Sequence, residues 1–187
     1  MSAGGGGMHF TLVYDGELKA NGDTIHKQGI RRAIHRQLSE LWRGTPYREL
    51  RKPAESLTAS IGAWRFFPLA SSKRHELAEL RILMLRPRMA VGSILEQGGD
   101  IDNRLKTLFD ALRMPREAAE IPASDHPGED EIPFFCLLED DILITSLSIE
   151  TDWLLEPSPL AAQVKMVIRV HIARARPIGA NMVGRLV

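Results

Sequence analysis

Gly98-Gly99-Asp100-Ile101-Asp102-Asn103-Arg104-Leu105-Lys106 is the stretch on which the reading of this chain turns, and Glu139-Asp140-Asp141 answers it further along. Two successive glycines leave the backbone free to turn sharply. On an extended backbone Asp100 and Asp102, two residues apart, point the same way. Asp102 and Asn103 are favourable helix N-caps. Leu105, Leu108, Phe109 and Leu112 then fall at i, i+3, i+4 and i+7, the period of a helix with one apolar face. The spacing predicts a helix capped at or near Asp102 and ending near Met114-Pro115. Lys106 lies one turn above Asp102 on the same face, and Asp110 continues that line.

Paired carboxylates on a turn, a lysine one helical turn away and a second acidic pair entering a strand together suit a hard divalent cation. Mg²⁺ takes oxygen ligands, keeps several waters and uses one or two protein carboxylates plus substrate phosphate oxygens. The lysine can hold a phosphate as a point charge. The matching reaction class is metal-assisted phosphodiester hydrolysis. The same residues also have a plain structural reading. Gly-Gly-Asp-x-Asp-Asn can be ordinary capping, Asp102, Lys106 and Asp110 a solvated i, i+4 charge ladder, and Asp140-Asp141 a turn before a strand.

At 187 residues and 44% hydrophobic content, the chain suits one globular domain with a sizeable core. The single cysteine, Cys136, excludes an intrachain disulfide and a cysteine-rich zinc site. Its setting, Phe134-Phe135-Cys136-Leu137-Leu138, predicts a buried thiol rather than a nucleophile. No apolar run reaches the length of a membrane span and the N-terminus lacks a signal-like pattern, so a soluble, cytoplasmic protein is expected. Net charge is zero but unevenly spread. Residues 26–52 carry eight lysines and arginines against Glu40 and Glu49, residues 164–187 five and no acid, whereas 120–131 is purely acidic. A neutral total thus conceals candidate basic faces. The histidines are scattered and form no paired-ligand motif; Ser-His-Asp and P-loop signatures are absent.

In chain order, residues 1–8 read as a flexible Gly-rich leader. His9 to Tyr14 reads as a strand, Asp15-Gly16 and Asn21-Gly22-Asp23 as turns. Thr24 caps a helix to about Trp42, with Ile30, Ile34, Leu38 and Leu41 as its apolar stripe and Arg31, Arg32 and Arg36 off it. Residues 51–76 read as an insertion; its Trp64-Arg65-Phe66-Phe67 suits a small satellite core better than base stacking. Leu77 to Arg86 is a second strand. Residues 116–133 form a second, acidic insertion, read as a solvated and mobile excursion. Ile142 to Ile149 and the alternating Val164 to Ala173 supply two more strands, and 176–187 is a basic tail. The expected fold is α/β (α+β): one domain built on a mixed four-stranded sheet with helices packed on it.

The run Asp100-x-Asp102-Asn103, Lys106, Asp110-Ala111-Leu112 and the downstream Asp140-Asp141 resembles the RusA family of Holliday junction resolvases, and the order of strands and helices over most of the chain is compatible. The resemblance implies an Mg²⁺-dependent endodeoxyribonuclease acting in DNA recombination and repair on branched DNA, with Mn²⁺ as a substitute ion, working as a homodimer. It implies Asp100, Asp102 and Asp141 as metal ligands, Lys106 as the essential lysine, and Asn103, Asp110 and Asp140 as supporting residues. Arg31, Arg32, Arg36, Lys165 and Arg169 are the candidate phosphate contacts. Two departures bear on junction specificity rather than chemistry: Asp15 to Asn21 lacks the family's proline-rich loop, and the two insertions lengthen the chain. Two alternatives stand beside this reading. One is a non-catalytic DNA-binding or assembly protein on the same scaffold; the other is a regulatory protein that binds a protein partner.

Overall fold

The four strands expected from apolar patterning pair with one another. In the computed structural model, which describes residues 7–44, 57–87, 98–156 and 162–175, they are β1 (Met8–Glu17), β4 (Glu76–Pro87), β6 (Ile144–Leu154) and β7 (Gln163–Arg174). They form a mixed sheet in the order β1-β7-β4-β6. The β1–β7 and β7–β4 pairs are antiparallel and β4–β6 is parallel. Alternation fixes which face is inside. Leu12, Leu80, Ile82, Met84, Val164, Met166, Ile168 and Val170 are buried, and their neighbours Thr11, Arg81 and Arg169 face solvent.

Two helices cover the inner face. Helix α1 spans Thr24–Arg43 and α2 Gly98–Leu112, and they pack on each other. The cap of α1 is Asp23, one residue before the expected Thr24, and its carboxylate accepts from His26 N at 2.8 Å. Ile30, Ile34, Leu38 and Trp42 pack into the main core with Leu108, Ala111 and Leu112 of α2. Gln37 uses its amide to donate to Val13 O (2.7 Å) and its carbonyl to accept from Val13 N (2.9 Å), which satisfies part of the β1 edge. Gly22 permits the close approach of the following loop to α2. A Cβ there would lie 2.6 Å from the His26 ring and 2.8 Å from Thr107, and Gly22 N donates to Thr107 Oγ1 at 3.0 Å.

Residues 57–76 are not an appended insertion. They carry β2 (Ala59–Ile61) and β3 (Trp64–Ala70), which join β5 (Phe134–Leu138) in a second sheet ordered β2-β3-β5. The β3–β5 pair is parallel and buried on both faces, which is why Phe-Phe-Cys-Leu-Leu reads as an unbroken apolar run. One face, with Phe67, Leu69, Phe135 and Leu137, belongs to the main core. The other, with Trp64, Phe66, Phe134 and Cys136, forms the satellite core expected from the aromatic cluster. Burial pushes the Cys136 thiol up to about 12, so it is an inert packing group.

The acidic segment 116–133 is an anchored cover, not a mobile excursion. Ile121 seals the satellite core. Arg32 donates to Glu131 at 2.8 Å and to Asp125 at 2.9 Å, and its guanidinium lies 5.5 Å from the Trp64 ring centre. For Glu131, burial raises the pKa, but the hydrogen bonds from Arg32 and from Gly128 N outweigh it and hold the carboxyl below its ordinary value of 4.5. A depressed carboxyl contributes stability above its unfolded value and loses it as pH falls through the folded one. Arg32→Ala is expected to cost about 1–3 kcal/mol by leaving half-buried carboxylates unpaired. It should raise amide exchange across 116–133 at neutral pH, as acidification below 4.5 does in the wild type. Unchanged exchange would show that Ile121 alone holds the segment.

His35 is the buried histidine of α1. It is 3% exposed, its Nδ1 accepts from Phe135 N at 2.8 Å, and its ring stacks on Phe134 at 4.2 Å. Burial, partly offset by Glu131 and Asp130, lowers its pKa from 6.5. The unfolded chain therefore takes the proton more readily, so stability is full above about 6.5 and falls as pH drops toward the folded value. His35→Asn keeps an acceptor for Phe135 N. Its unfolding free energy should vary less between pH 7 and 5 than the wild type's, by at most about 1.4 kcal/mol per pH unit. Equal slopes would place the titration elsewhere.

Of the leader expected over 1–8, Met8 instead opens β1, paired with Ile172; residues 1–6, 51–56 and 176–187 lie outside the described residues. No helix among the described residues is long and apolar enough to cross a membrane.

Candidate functional site

Helix α2 begins at Gly98, four residues ahead of the expected cap, so the backbone at 100–102 is helical rather than extended. The shared direction derived for Asp100 and Asp102 from an extended chain does not hold on that backbone. Capping preference alone did not locate the helix start, because Asp and Asn also sit within the first turns. The side chain of Asp100 lies outside the described residues. Asp102 and Lys106 are exposed, one turn apart on the same helix. Arg104 donates to Leu18 O and Thr107 receives Gly22 N, so another side of α2 is fixed to the loop after β1. Asn103 is half-buried beside Asp102.

Asp110 does not continue the exposed ladder. One carboxylate oxygen receives Lys27 Nζ at 2.7 Å and the other Arg113 Nη2 at 3.1 Å. Burial raises its pKa, but Lys27 and Arg113 outweigh that and lower it. Arg113 also grips Glu120 through two bonds, 2.8 and 3.1 Å. Asp110 is thus a clamp between α1, α2 and the acidic segment.

Arg31, expected on a phosphate-facing surface, is 1% exposed. Nη2 donates to Asp110 O at 2.9 Å and Nη1 to Gln28 Oε1 at 2.6 Å. The carbonyl of Asp110 is among the last four of α2, which have no partner within the helix and carry its negative end. Arg31 therefore serves as an internal cap, and it leaves the set of DNA contacts. Arg32 is engaged by the acidic segment as described. Arg36 remains exposed on α1. Lys165 and Arg169 sit on the outer face of the sheet, away from α1, and Lys165 pairs with Asp15 at 3.4 Å and with Glu156. The fold does not gather these five into one basic surface.

The second acidic group is more ordered than its sequence suggested. β5 ends at Leu138; Glu139 N donates to Ala70 O (2.9 Å), and its carboxylate accepts from Ser71 Oγ, Ser72 N and Ser72 Oγ at 2.7–2.9 Å. Asp140 caps a 3₁₀ turn, Asp141–Leu143, by accepting from Ile142 N at 3.1 Å. That turn lies against α2 and leads into β6, which brings the two acidic stretches onto neighbouring elements. Burial and then the Asp140 carboxylate push Asp141 above its ordinary value. Burial also raises Asp140, but Ile142 N, Asp141 and Arg116 outweigh it and leave Asp140 lowered.

Arg116 escaped the sequence reading. Its Nη2 lies 2.8 Å from Asp140 Oδ2 and 3.4 Å from Asp141 Oδ1, with Nε 3.1 Å from Asp140 Oδ2. The one signal was a basic residue directly after Pro115 at the head of an acidic segment. Beside it opens a cleft of about 520 Å³, walled by Ile61, Met114, Pro115 and Leu143, with Ser60 and Ser72 as polar lining. Ile142, 81% exposed, stands at its rim.

An oxygen-only donor set with a cation already seated on it is chemically suited to Mg²⁺. Among the described residues no three Asp, Glu, His or Cys side chains converge on one ion position. A complete ligand set would therefore draw on Asp100, on water or on substrate oxygens. Comparison with protein-family models finds no match, and neither does a search of curated proteins.

Proposed function

We propose that the protein is a divalent-metal-dependent endonuclease of the RusA-like type, acting on branched DNA such as four-way junctions, as a cytoplasmic homodimer. The observation that carries the reading is the packing of the 3₁₀ turn bearing Asp141 against α2, the helix that presents Asp102 and Lys106 to solvent. This packing supports the reading because it sets elements far apart in sequence side by side, each carrying residues this chemistry needs.

Asp141, with Asp102 and Asp100, would hold Mg²⁺ or Mn²⁺. The bound ion would supply Lewis-acid polarisation of the phosphodiester. Lys106 is a point charge for a non-bridging phosphate oxygen, where negative charge builds during in-line attack. Asp140, bonded to Ile142 N, positions the turn that carries Asp141. Asp110 supports α2 from behind through Lys27 and Arg113. Arg36 and Arg169, on opposite sides of the sheet, suit phosphates on different arms of a branched substrate better than one straight duplex.

The test is nicking of a four-way junction against a linear duplex of the same sequence, with Mg²⁺ or Mn²⁺. Junction nicking is the expected result. The second reading, a non-catalytic DNA-binding protein on this scaffold, is favoured by the Arg116 guanidinium seated on Asp140 and Asp141. Binding of the junction without cutting under either metal would select it.

A further inference from the structure

The contact of Arg116 with the acidic pair has a consequence for how an ion would enter. We infer that Arg116 is a built-in, displaceable counter-cation of the Asp140–Asp141 pair, which a divalent ion must dislodge in order to load. The inference rests on the metal-site reading above and deepens it. Asp140 Oδ1 is engaged by Ile142 N at 3.1 Å, so Oδ2 is the oxygen left for a cation, and the guanidinium covers it from 2.8 and 3.1 Å. The same nitrogen, Nη2, reaches Asp141 Oδ1 at 3.4 Å. Two successive carboxylates thus have one common positive partner, and it covers the Asp141 oxygen that an incoming ion would need.

The geometry also makes the group removable. Asp140, Asp141 and Arg116 are 32%, 42% and 55% exposed, so water can replace each contact as it breaks. Arg116 is held through its side chain, whereas its main-chain N–H donates to Glu120 Oε2 at 3.3 Å. The backbone can therefore stay in place while the guanidinium swings out. The neighbouring arginines are not free to do this. Arg113 is 4% exposed and locked to Asp110 and Glu120, and Arg32 is held by Asp125 and Glu131. An exposed ion pair competes weakly, so the device sets the threshold for metal loading rather than blocking it.

The test is Mn²⁺ binding by calorimetry to the full chain without DNA, for wild type, Arg116→Ala, Arg116→Gln and Asp141→Asn, with the arginine Nε–H resonance followed during an Mg²⁺ titration. Both Arg116 variants are expected to bind Mn²⁺ about two- to fivefold more tightly than wild type, the most a solvent-exposed pair can withhold. The Nε–H signal that vanishes in Arg116→Ala should shift with the Mg²⁺ isotherm in the wild type. Wild-type binding that Asp141→Asn abolishes, with Arg116 variants equal to or weaker than wild type, would overturn the counter-cation and leave the metal site standing. Binding that is absent, or indifferent to Asp141, would remove the metal site itself and the inference with it.

Discussion

Asp141→Asn and Lys106→Ala should each lower junction nicking by about 10²–10³-fold, while leaving the melting temperature nearly unchanged. The size follows from the role proposed for each group. Asn keeps the shape of Asp141 and removes the charge that would hold the ion; Ala removes the exposed cation that α2 would offer to a phosphate. The structural neutrality follows from exposure. Lys106 and Asp102 project from α2 into solvent, and Asp141 is 42% exposed, so no core is opened. Asp110→Asn is the informative contrast. It weakens the clamp with Lys27 and Arg113, so its activity loss should come with a fall in melting temperature. The measurement is single-turnover nicking beside thermal unfolding for the same preparations. Activity retained in both Asp141→Asn and Lys106→Ala would move the reacting centre away from α2. Loss of activity only in proportion to loss of folded protein would reduce these residues to structural ones.

Patterning made the main sheet legible because its strands are buried on one face. Val164, Met166, Ile168, Val170 and Ile172 alternate cleanly with solvated neighbours, and both faces announce themselves. The second sheet was harder for the opposite reason. β3 and β5 are covered on both sides, so alternation vanishes, and β2 is only three residues long. Arg31 and Arg36 look equivalent in a helical pattern, since both fall off the aliphatic stripe. Only the position of the α2 C-terminus makes one an internal cap and leaves the other on the surface. The acidic segment misled in the same way. Its charges are balanced by Arg32 and Arg113, which are distant in sequence, so composition alone suggested a mobile excursion. Within the candidate site the residues carrying charge were visible and their internal partners were not. Spacing marked Asp102, Lys106, Asp140 and Asp141, whereas Arg116 becomes significant only once β5 and the turn after it fold back beside it.

Phe67→Ala tests whether the second sheet is part of the domain, and it should be among the most damaging single changes in the chain. Phe67 is 2% exposed and lies on β3, yet its ring packs on Trp42 of α1 at 5.7 Å and on Phe135 of β5 at 5.9 Å, within the main core. The Arg74 guanidinium covers it at 5.8 Å. Truncating such a ring removes its transfer free energy and leaves a cavity that β3 and β5, hydrogen-bonded to each other, cannot easily collapse. The expected cost is about 3–5 kcal/mol, a large share of the roughly 5–15 kcal/mol that holds a domain folded. At this chain length that is a drop in melting temperature of roughly 6–20 °C. Arg65→Ala, on the exposed side of the same strand, should stay within about 0.5 kcal/mol. Were residues 57–76 an appendage with a core of their own, Phe67→Ala would melt them separately and leave the amide protection of β4 and β7 intact. A single transition shifted as a whole, with β4 and β7 losing protection together, is the result the shared core requires, because Phe67, Ile82 and Ile168 belong to one continuous cluster.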